Sequence, residues 1–180
     1  MNQQFAPPVA ADIHSDAFKA VMRNVAGAVS IITASHGGER AGLTATSLTA
    51  LSAEPPTVIV CINRGASAWP KIEAAGHFAI NVLAARHQAI ADRFAGRGGF
   101  KGEARFADGD WTTLVTGAPT LVGALAVLDC ETDEAIERHS HTILIGRIKA
   151  IRQAQDEGAL LYWRGIYGKL DETLQHGAGI

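Results

Sequence analysis

Residues 42–69 read GLTATSLTALSAEPPTVIVCINRGASAW, and this stretch carries most of the information about fold and function. Five hydroxyl side chains precede a corner at Pro55-Pro56, and the apolar strand TVIVCI that follows ends in the sequence of residues 63–67, Asn-Arg-Gly-Ala-Ser. Hydroxyls, backbone N–H groups on small residues and one arginine at a strand exit can hold a phosphate and the polar edge of a ring. The pattern indicates a site for a phosphorylated aromatic cofactor. An ordinary β-hairpin with solvent-facing Thr and Ser is an equally good explanation.

The composition is that of one globular domain. The chain has 180 residues, of which 47% are hydrophobic and 19% charged, and this excludes wholesale disorder. A formal net charge of −2 argues against nucleic acid as a partner, because phosphate neutralisation needs an excess of Lys and Arg. We expect no membrane span and no signal peptide, since the chain lacks a long apolar run and a basic N-terminal region. Cys61 and Cys130 lie in apolar runs, which predicts reduced, buried thiols and a cytoplasmic protein. The sequence does not decide whether these two cysteines form a disulfide.

The order of the predicted elements favours a mainly β (α+β) domain. Residues 1–11 are predicted as a flexible N-terminal arm, 12–171 as the folded domain and 172–180 as a C-terminal tail. Apolar periodicity and turn residues predict six or seven strands and two or three short helices. The predicted strands are 28–34, 41–52, 57–63, 77–83, 121–136, 141–153 and 160–167, and the predicted helices are 12–24, 67–75 and 84–95. Strands and helices do not alternate as βαβ units, so we expect an antiparallel barrel rather than a doubly wound parallel sheet.

Three further groups of residues have less specific patterns. The glycine-rich loop 96–102 lacks the spacing of a dinucleotide-binding fingerprint, because the position three residues after Gly98 is Lys101. His139 and His141 alternate onto one face of a strand, as a metal site requires, but a structural or substrate-facing role explains them better. Three aromatic residues near the C-terminus are typical of a core or interface, and one of them could instead pack on a flavin or nicotinamide ring. These are Tyr162, Trp163 and Tyr167.

Taken in order, the segments of the chain resemble the short-chain flavin reductase family, the small reductase components of two-component flavin monooxygenases. The resemblance extends from about Phe18 to Leu170. It rests on the stretch 41–67 together with the blocks VAGAVSIITA, FAINVLAARHQAIADRFAG, ARFADGDWTTLVTGAPTLVGALAVLDCE, HSHTILIGRI and LLYWRGIYGKL. Each block alone is weak, but their order and spacing together are specific. The resemblance implies an FMN-binding split β-barrel, a Greek-key barrel with short helices at its rim, that works as a homodimer.

The resemblance also implies an activity and a set of site residues. The activity is that of an NAD(P)H:flavin oxidoreductase, which reduces FMN or FAD by hydride transfer to flavin N5. The reduced flavin would serve a partner monooxygenase of the pyrimidine or aromatic hydroxylase type. His141 matches the family's histidine near the nicotinamide and is the candidate catalytic residue, Tyr167 matches its C-terminal tyrosine, and no metal is expected. The remaining residues that the resemblance assigns to cofactor binding are Thr44, Ala45, Thr46, Ser47, Asn63, Arg64, Ser67, Phe94, Ala95 and Gly96.

Several alternatives stay open at the level of the sequence. FMN and FAD are both compatible with it, and so are NADH and NADPH. Four basic residues could meet the 2′-phosphate of NADPH, namely Arg40, Arg97, Lys101 and Arg105. The alternatives to a reductase that serves a monooxygenase are a flavin-dependent corrin reductase of cobalamin synthesis and a non-catalytic flavin- or haem-binding module. The third alternative to such a reductase is a metal-dependent enzyme centred on His139 and His141.

Overall fold

A computed structural model of the protein describes residues 13–154 and 158–170. The predicted arm, 1–11, and the predicted tail, 172–180, lie outside the described residues. The helices are α1 (Ser15–Met22), α2 (Trp69–Ala75) and α3 (Gln88–Phe94), with short 3₁₀ helices at Ala85–His87, Arg97–Gly99 and Gly102–Phe106. The strands are β1 (Gly27–Ala28), β2 (Ser30–His36), β3 (Glu39–Ala45), β4 (Thr49–Ala53), β5 (Pro56–Asn63), β6 (His77–Val82), β7 (Trp111–Thr113), β8 (Pro119–Leu121), β9 (Ala126–Arg138), β10 (His141–Gln153), β11 (Ala159–Trp163) and β12 (Ile166–Leu170).

Seven strands form the main sheet, in the order β3-β2-β6-β9-β10-β5-β4, and every neighbouring pair is antiparallel. The two strands at the ends of this order, β3 and β4, are joined by residues 46–48 alone. Such a short link brings the two edges of the sheet together, because the four Cα–Cα steps between the strands span at most about 14 Å. The sheet therefore curls into a barrel that is split between β3 and β4. This architecture confirms the predicted fold class.

Smaller sheets and short helices surround the barrel. β1, β11 and β12 form a three-stranded sheet, and β7 pairs with β8. Each element between residues 85 and 106 is a short helix. α3 and the 3₁₀ helix at Gly102–Phe106 pack beside β3, and the other two 3₁₀ helices pack against α3. No helix in the described parts of the chain is long and apolar enough to cross a membrane.

Two apolar clusters stabilise this arrangement, one on each face of the barrel wall. The first fills the barrel and includes Ile32, Phe78 and Leu144. The second lies between the barrel wall and α3 and includes Ile31 and Phe94. Residues of β2 from Ser30 to Ala34 are buried on both faces for this reason, so the strand reads as a continuous apolar run rather than an alternating one.

Four predicted strands differ from those in the structure by more than one residue. The predicted strand 28–34 is divided between β1 and β2, and Val29 belongs to neither. The predicted strand 41–52 is two strands, because the chain leaves one edge of the sheet at Ala45 and enters the other edge at Thr49. The predicted strand 160–167 is a hairpin, with its turn at Arg164 and Gly165, which adopt φ values of 51° and 90°. The predicted strand 121–136 begins only at Ala126 and continues to Arg138. Thr46 and Ser47 at the break within 41–52 give no clear turn signal, because Thr and Ser are common in strands. Arg164-Gly165 and Gly123 are turn signals in the predicted strands 160–167 and 121–136, and those predictions passed over them.

Candidate functional site

A cavity of about 610 Å³ opens at the rim of the barrel, where β3, β5, α3 and the start of β10 come together. Its volume falls within the range of small-molecule and cofactor sites in proteins. The residues that line it are Val29, Leu43, Thr44, Ala45, Thr46, Ser47, Cys61, Asn63, Ala66, Ser67, Phe94, Ala95, Arg97, Arg105, His141, Tyr162 and Tyr167.

One wall of the cavity is the end of β3 and the link to β4. The Thr44 hydroxyl donates to the Ala91 carbonyl at 2.7 Å, which ties the strand to α3. The Ser47 hydroxyl accepts from the Cys61 N–H and donates to the Cys61 carbonyl, both at 3.0 Å, which ties the link to β5. These two hydroxyls therefore hold the walls together. Thr46 is exposed, and its hydroxyl bonds to no residue that the structure describes.

A second wall is the turn that follows β5. The Asn63 side chain accepts from the Gly65 N–H at 2.8 Å, and the Ala66 N–H donates to the Asn63 carbonyl at 3.0 Å. Asn commonly closes such turns, because its side chain can imitate a backbone acceptor. The turn places Asn63, Ala66 and the exposed Ser67 along the cavity. The N–H groups of residues 64–66 all donate within the protein, so the Ser67 hydroxyl, which bonds to no described residue, is the group of this wall that can meet an anion.

Arg64, predicted as a cofactor contact, does not line the cavity. Its guanidinium forms an ion pair with Glu137 and donates to the His139 carbonyl at 2.8 Å. Its backbone N–H donates to the Ser140 carbonyl at 2.9 Å. The residue therefore braces the turn between β9 and β10. Other residues of this segment line the cavity, but strand pairing decided the direction in which the Arg64 side chain extends.

That turn also separates the two histidines expected on one strand face. His139 lies in the turn with a φ of 51°, while His141 is the first residue of β10 and pairs with Asn63 of β5. The prediction that they share a strand face is therefore wrong. His141 lines the cavity, and its Nδ1 lies 2.9 Å from the Ser140 hydroxyl. No cluster of three metal-binding side chains occurs within 13–154 and 158–170.

The third wall combines the end of α3 with aromatic residues of the C-terminal hairpin. Phe94 is buried, with its ring centroid 4.9 Å from that of Phe106. The rings of Tyr162 and Tyr167 pack edge to face at 5.3 Å between centroids. Burial and the neighbouring Asp92 carboxylate raise the pKa of Tyr167 to about 12, so its phenol stays protonated at neutral pH. Gly96, the other predicted contact outside the cavity lining, follows α3 with a φ of 84°.

The cavity brings together every predicted cofactor residue except Arg64 and Gly96. Their contacts with a cofactor stay predictions. Two arginines that line the cavity, Arg97 and Arg105, were considered only for a 2′-phosphate contact. Cys61 was predicted to be buried, and this is wrong, because it is exposed and faces the cavity. Its neighbours Val60 and Ile62 take the buried positions, so the alternation along β5 was the signal that could have identified it.

Comparison with known proteins identifies the family. Residues 22–171 match the family described as flavin reductase like domain. The chain is 41% identical over 150 residues, 83% of this chain and 86% of the relative, to a protein named FMN reductase (NADH) RutF 2 from Methylorubrum extorquens.

Two solved structures extend the comparison to the fold. The structure of a nitrilotriacetate monooxygenase component B homologue from Mycobacterium thermoresistibile matches with a TM-score of 0.83 and 29% identity, over 92% of this chain and 91% of that one. The NADH:FAD oxidoreductase SgcE6 of Streptomyces globisporus matches with a TM-score of 0.81 and 26% identity, over 97% and 99%. The resemblance predicted from the sequence is thereby confirmed, and the chain belongs to the flavin reductase family.

Proposed function

We propose that this protein catalyses hydride transfer from nicotinamide C4 to flavin N5 in the cavity at the barrel rim and supplies the reduced flavin to a partner monooxygenase. Flavin reduction with a nicotinamide nucleotide is the activity of the relatives that the chain resembles. NADH is the reductant named for those relatives, and both FMN and FAD are named as acceptors. The observation that supports the proposal most directly is the cavity, which joins the end of β3, the turn after β5 and His141.

The protein's own contribution is to position two rings. The flavin and nicotinamide rings supply the hydride chemistry themselves. We assign the flavin to the wall formed by residues 44–47 and its phosphate end to the turn of residues 63–67. His141 then lies where it can orient the nicotinamide. Holding two reactants in one geometry accounts for much of the rate in such reactions, and no acid–base dyad is needed in the cavity.

Release of the reduced flavin requires modest affinity. Of the three hydroxyls that β3 and its link present to the cavity, those of Thr44 and Ser47 already bond to the protein, which leaves that of Thr46. Fewer side-chain contacts therefore remain for the flavin itself. A micromolar dissociation constant corresponds to only about −8 kcal/mol, which backbone contacts and ring packing can supply.

The name of the Mycobacterium thermoresistibile protein, a monooxygenase component, supports a monooxygenase as the partner.

We also propose a homodimer, because one surface exposes a row of large apolar side chains. Phe18, Val21 and Val25, in and just after α1, are 58%, 66% and 61% exposed. Trp163 of the C-terminal hairpin donates to the Asn24 carbonyl at 3.2 Å and is itself 42% exposed. Contiguous apolar surface of this kind is uncommon on monomers. The test is a measurement of molecular size for the Val21→Asp variant. If that variant is still a dimer, this surface is not the interface.

The predicted cytoplasmic location stays a prediction.

The test of the proposed activity is an assay of the purified protein with NADH and either FMN or FAD. We expect NADH oxidation that depends on the added flavin, and the preferred flavin would narrow the class of partner. The same assay with NADPH establishes the preferred nucleotide. No flavin-dependent oxidation with either nucleotide would refute the proposal. A coloured ligand that co-purifies without turnover would then favour a binding module, and turnover that needs a corrin would favour the corrin reductase.

A further inference from the structure

Arg105 stands apart from the other charged residues around the cavity. Its Nη1 donates to the Gly42 carbonyl at 2.8 Å and its Nε donates to the Phe100 carbonyl at 3.1 Å. Both acceptors are neutral, and Arg105 has no carboxylate partner in residues 13–154 and 158–170. The side chain is half-buried, and this burial lowers the pKa of its guanidinium. Two backbone carbonyls therefore hold a partly desolvated cation in one orientation in the cavity wall.

Neighbouring arginines are paired differently. Three arginines close to Arg105 in the structure each form an ion pair with a carboxylate. These pairs are Arg40 with Glu103, Arg93 with Asp108 and Arg97 with Asp92. A cation that has lost water is stabilised only when an anion or several acceptors replace that water. Arg105 has two neutral acceptors and no anion, and its Nη2 donates to no described residue. This nitrogen lies near the backbone of Gly96, at the end of the α3 wall.

We propose that Arg105 binds a phosphate group of a ligand in the cavity. A guanidinium presents parallel N–H donors that match the oxygens of a phosphate, and it keeps its charge at any physiological pH. The phosphate belongs to the flavin or to the nicotinamide nucleotide, since both ligands carry one. This inference rests on the proposed function, because it takes the flavin and the nucleotide as the ligands of the cavity. It adds a charged contact to the Ser67 hydroxyl, which also lines the cavity.

The test compares ligands with and without the phosphate. Dissociation constants of FMN and riboflavin are measured from the change in flavin fluorescence, and that of NADH from the fluorescence of flavin-free protein, for the wild type and Arg105→Met. If the flavin phosphate is bound, we expect FMN affinity to fall about 10- to 100-fold, as loss of a charged hydrogen bond predicts, with riboflavin affinity nearly unchanged. If the nucleotide phosphate is bound, the same loss appears for NADH while FMN and riboflavin keep their affinities.

A matched control separates charge from structure. Arg40 also connects β3 to the 3₁₀ helix at Gly102–Phe106, through Glu103, but it does not line the cavity. We therefore expect Arg40→Met to leave all three affinities nearly unchanged, and Arg105→Lys to show a smaller loss than Arg105→Met. Equal losses for FMN and riboflavin in Arg105→Met, or no loss for FMN and NADH, would overturn the inference. Wild-type binding of FMN no tighter than riboflavin, together with no NADH binding, would also overturn it. All of these are binding measurements, so absence of turnover would refute the proposed activity separately.

Discussion

The substitution Gly42→Ala tests how the β3 wall of the cavity is built. Gly42 lies on β3, and a Cβ atom at this position would stand 2.7 Å from Cε1 of Phe94 and 2.9 Å from the carbonyl oxygen of Ile32. Phe94 is 1% exposed and cannot swing into free space, and Ile32 belongs to the paired strand β2. Neither atom can yield without moving packed structure. Overpacking of this kind costs about 1–3 kcal/mol in a well-packed core.

The cost should be visible in both stability and binding. For a chain of this length, about 1 kcal/mol corresponds to a change of roughly 2–4 °C in the unfolding temperature. We therefore expect Gly42→Ala to lower the unfolding temperature by about 3–10 °C and to reduce the free energy of unfolding in urea by a matching amount. The affinity for FMN should also fall, because Phe94 lines the cavity and Arg105 is anchored on the Gly42 carbonyl.

Gly168 provides the matched control, since it also lies in a strand, β12, but a Cβ there would have no atom within 4 Å. We expect Gly168→Ala to change the free energy of unfolding by no more than about 0.5 kcal/mol. The reasoning would be refuted by a Gly42→Ala protein that unfolds within about 1 °C of the wild type. Equal destabilisation of Gly42→Ala and Gly168→Ala would refute it as well, because only the first variant introduces a clash.

Three other predictions concern the cavity and its surroundings. Cys61 is exposed, whereas burial raises the pKa of the Cys130 thiol to about 12, so a thiol reagent should label one cysteine in the folded protein and both after unfolding. Bound FMN should slow the labelling of Cys61, and rapid labelling of both thiols in the folded protein would contradict the structure. The substitution His141→Ala should raise the Michaelis constant for NADH more than the dissociation constant of FMN; a loss confined to FMN would show that the histidine faces the flavin instead. Burial and the adjacent Arg86 lower the pKa of His87, whose Nδ1 accepts from the Ala84 N–H at 3.3 Å, so the unfolded chain takes up the proton first as the pH falls. Stability in urea should therefore decrease below about pH 6.5, and an unchanged pH dependence in His87→Gln would rule out this histidine as a cause.

Much of the fold could be predicted because its strands carry local signals. The strand β10 was predicted at its observed bounds, and β5 and β6 within one residue, since β-branched and apolar residues fill them between clear turns. The short strands β7 and β8 were missed, because three residues carry too little periodicity to be recognised. The break at 46–48 was missed for a different reason: it exists only because β3 and β4 lie at opposite edges of the sheet.

The residues of the site likewise divide into those that could be identified from the sequence and those that only the structure could place. The order of hydroxyls, small residues and a strand exit pointed to the two segments, and the family resemblance then assigned residues 44–47, Asn63 and Ser67, all of which line one cavity. The direction of the Arg64 side chain had no such signal. It depends on Glu137 and His139, which are more than 70 residues away in the chain. The exposure of Cys61 is an intermediate case. Alternate side chains of β5 point to opposite faces of the sheet, so once Val60 and Ile62 are known to point into the barrel, the alternation predicts that Cys61 points out of it.

The sequence by itself determined the antiparallel β class, the family and the segments that form the cavity, because these depend on local composition and on the order of motifs. Only the tertiary structure decided which side chains face the cavity. Antiparallel pairing places His141 opposite Asn63, and the packing of the 3₁₀ helix at Gly102–Phe106 beside β3 brings Arg105 onto the Gly42 carbonyl, 63 residues away. Contacts over such distances are set by the register of the whole sheet, and no local pattern encodes them.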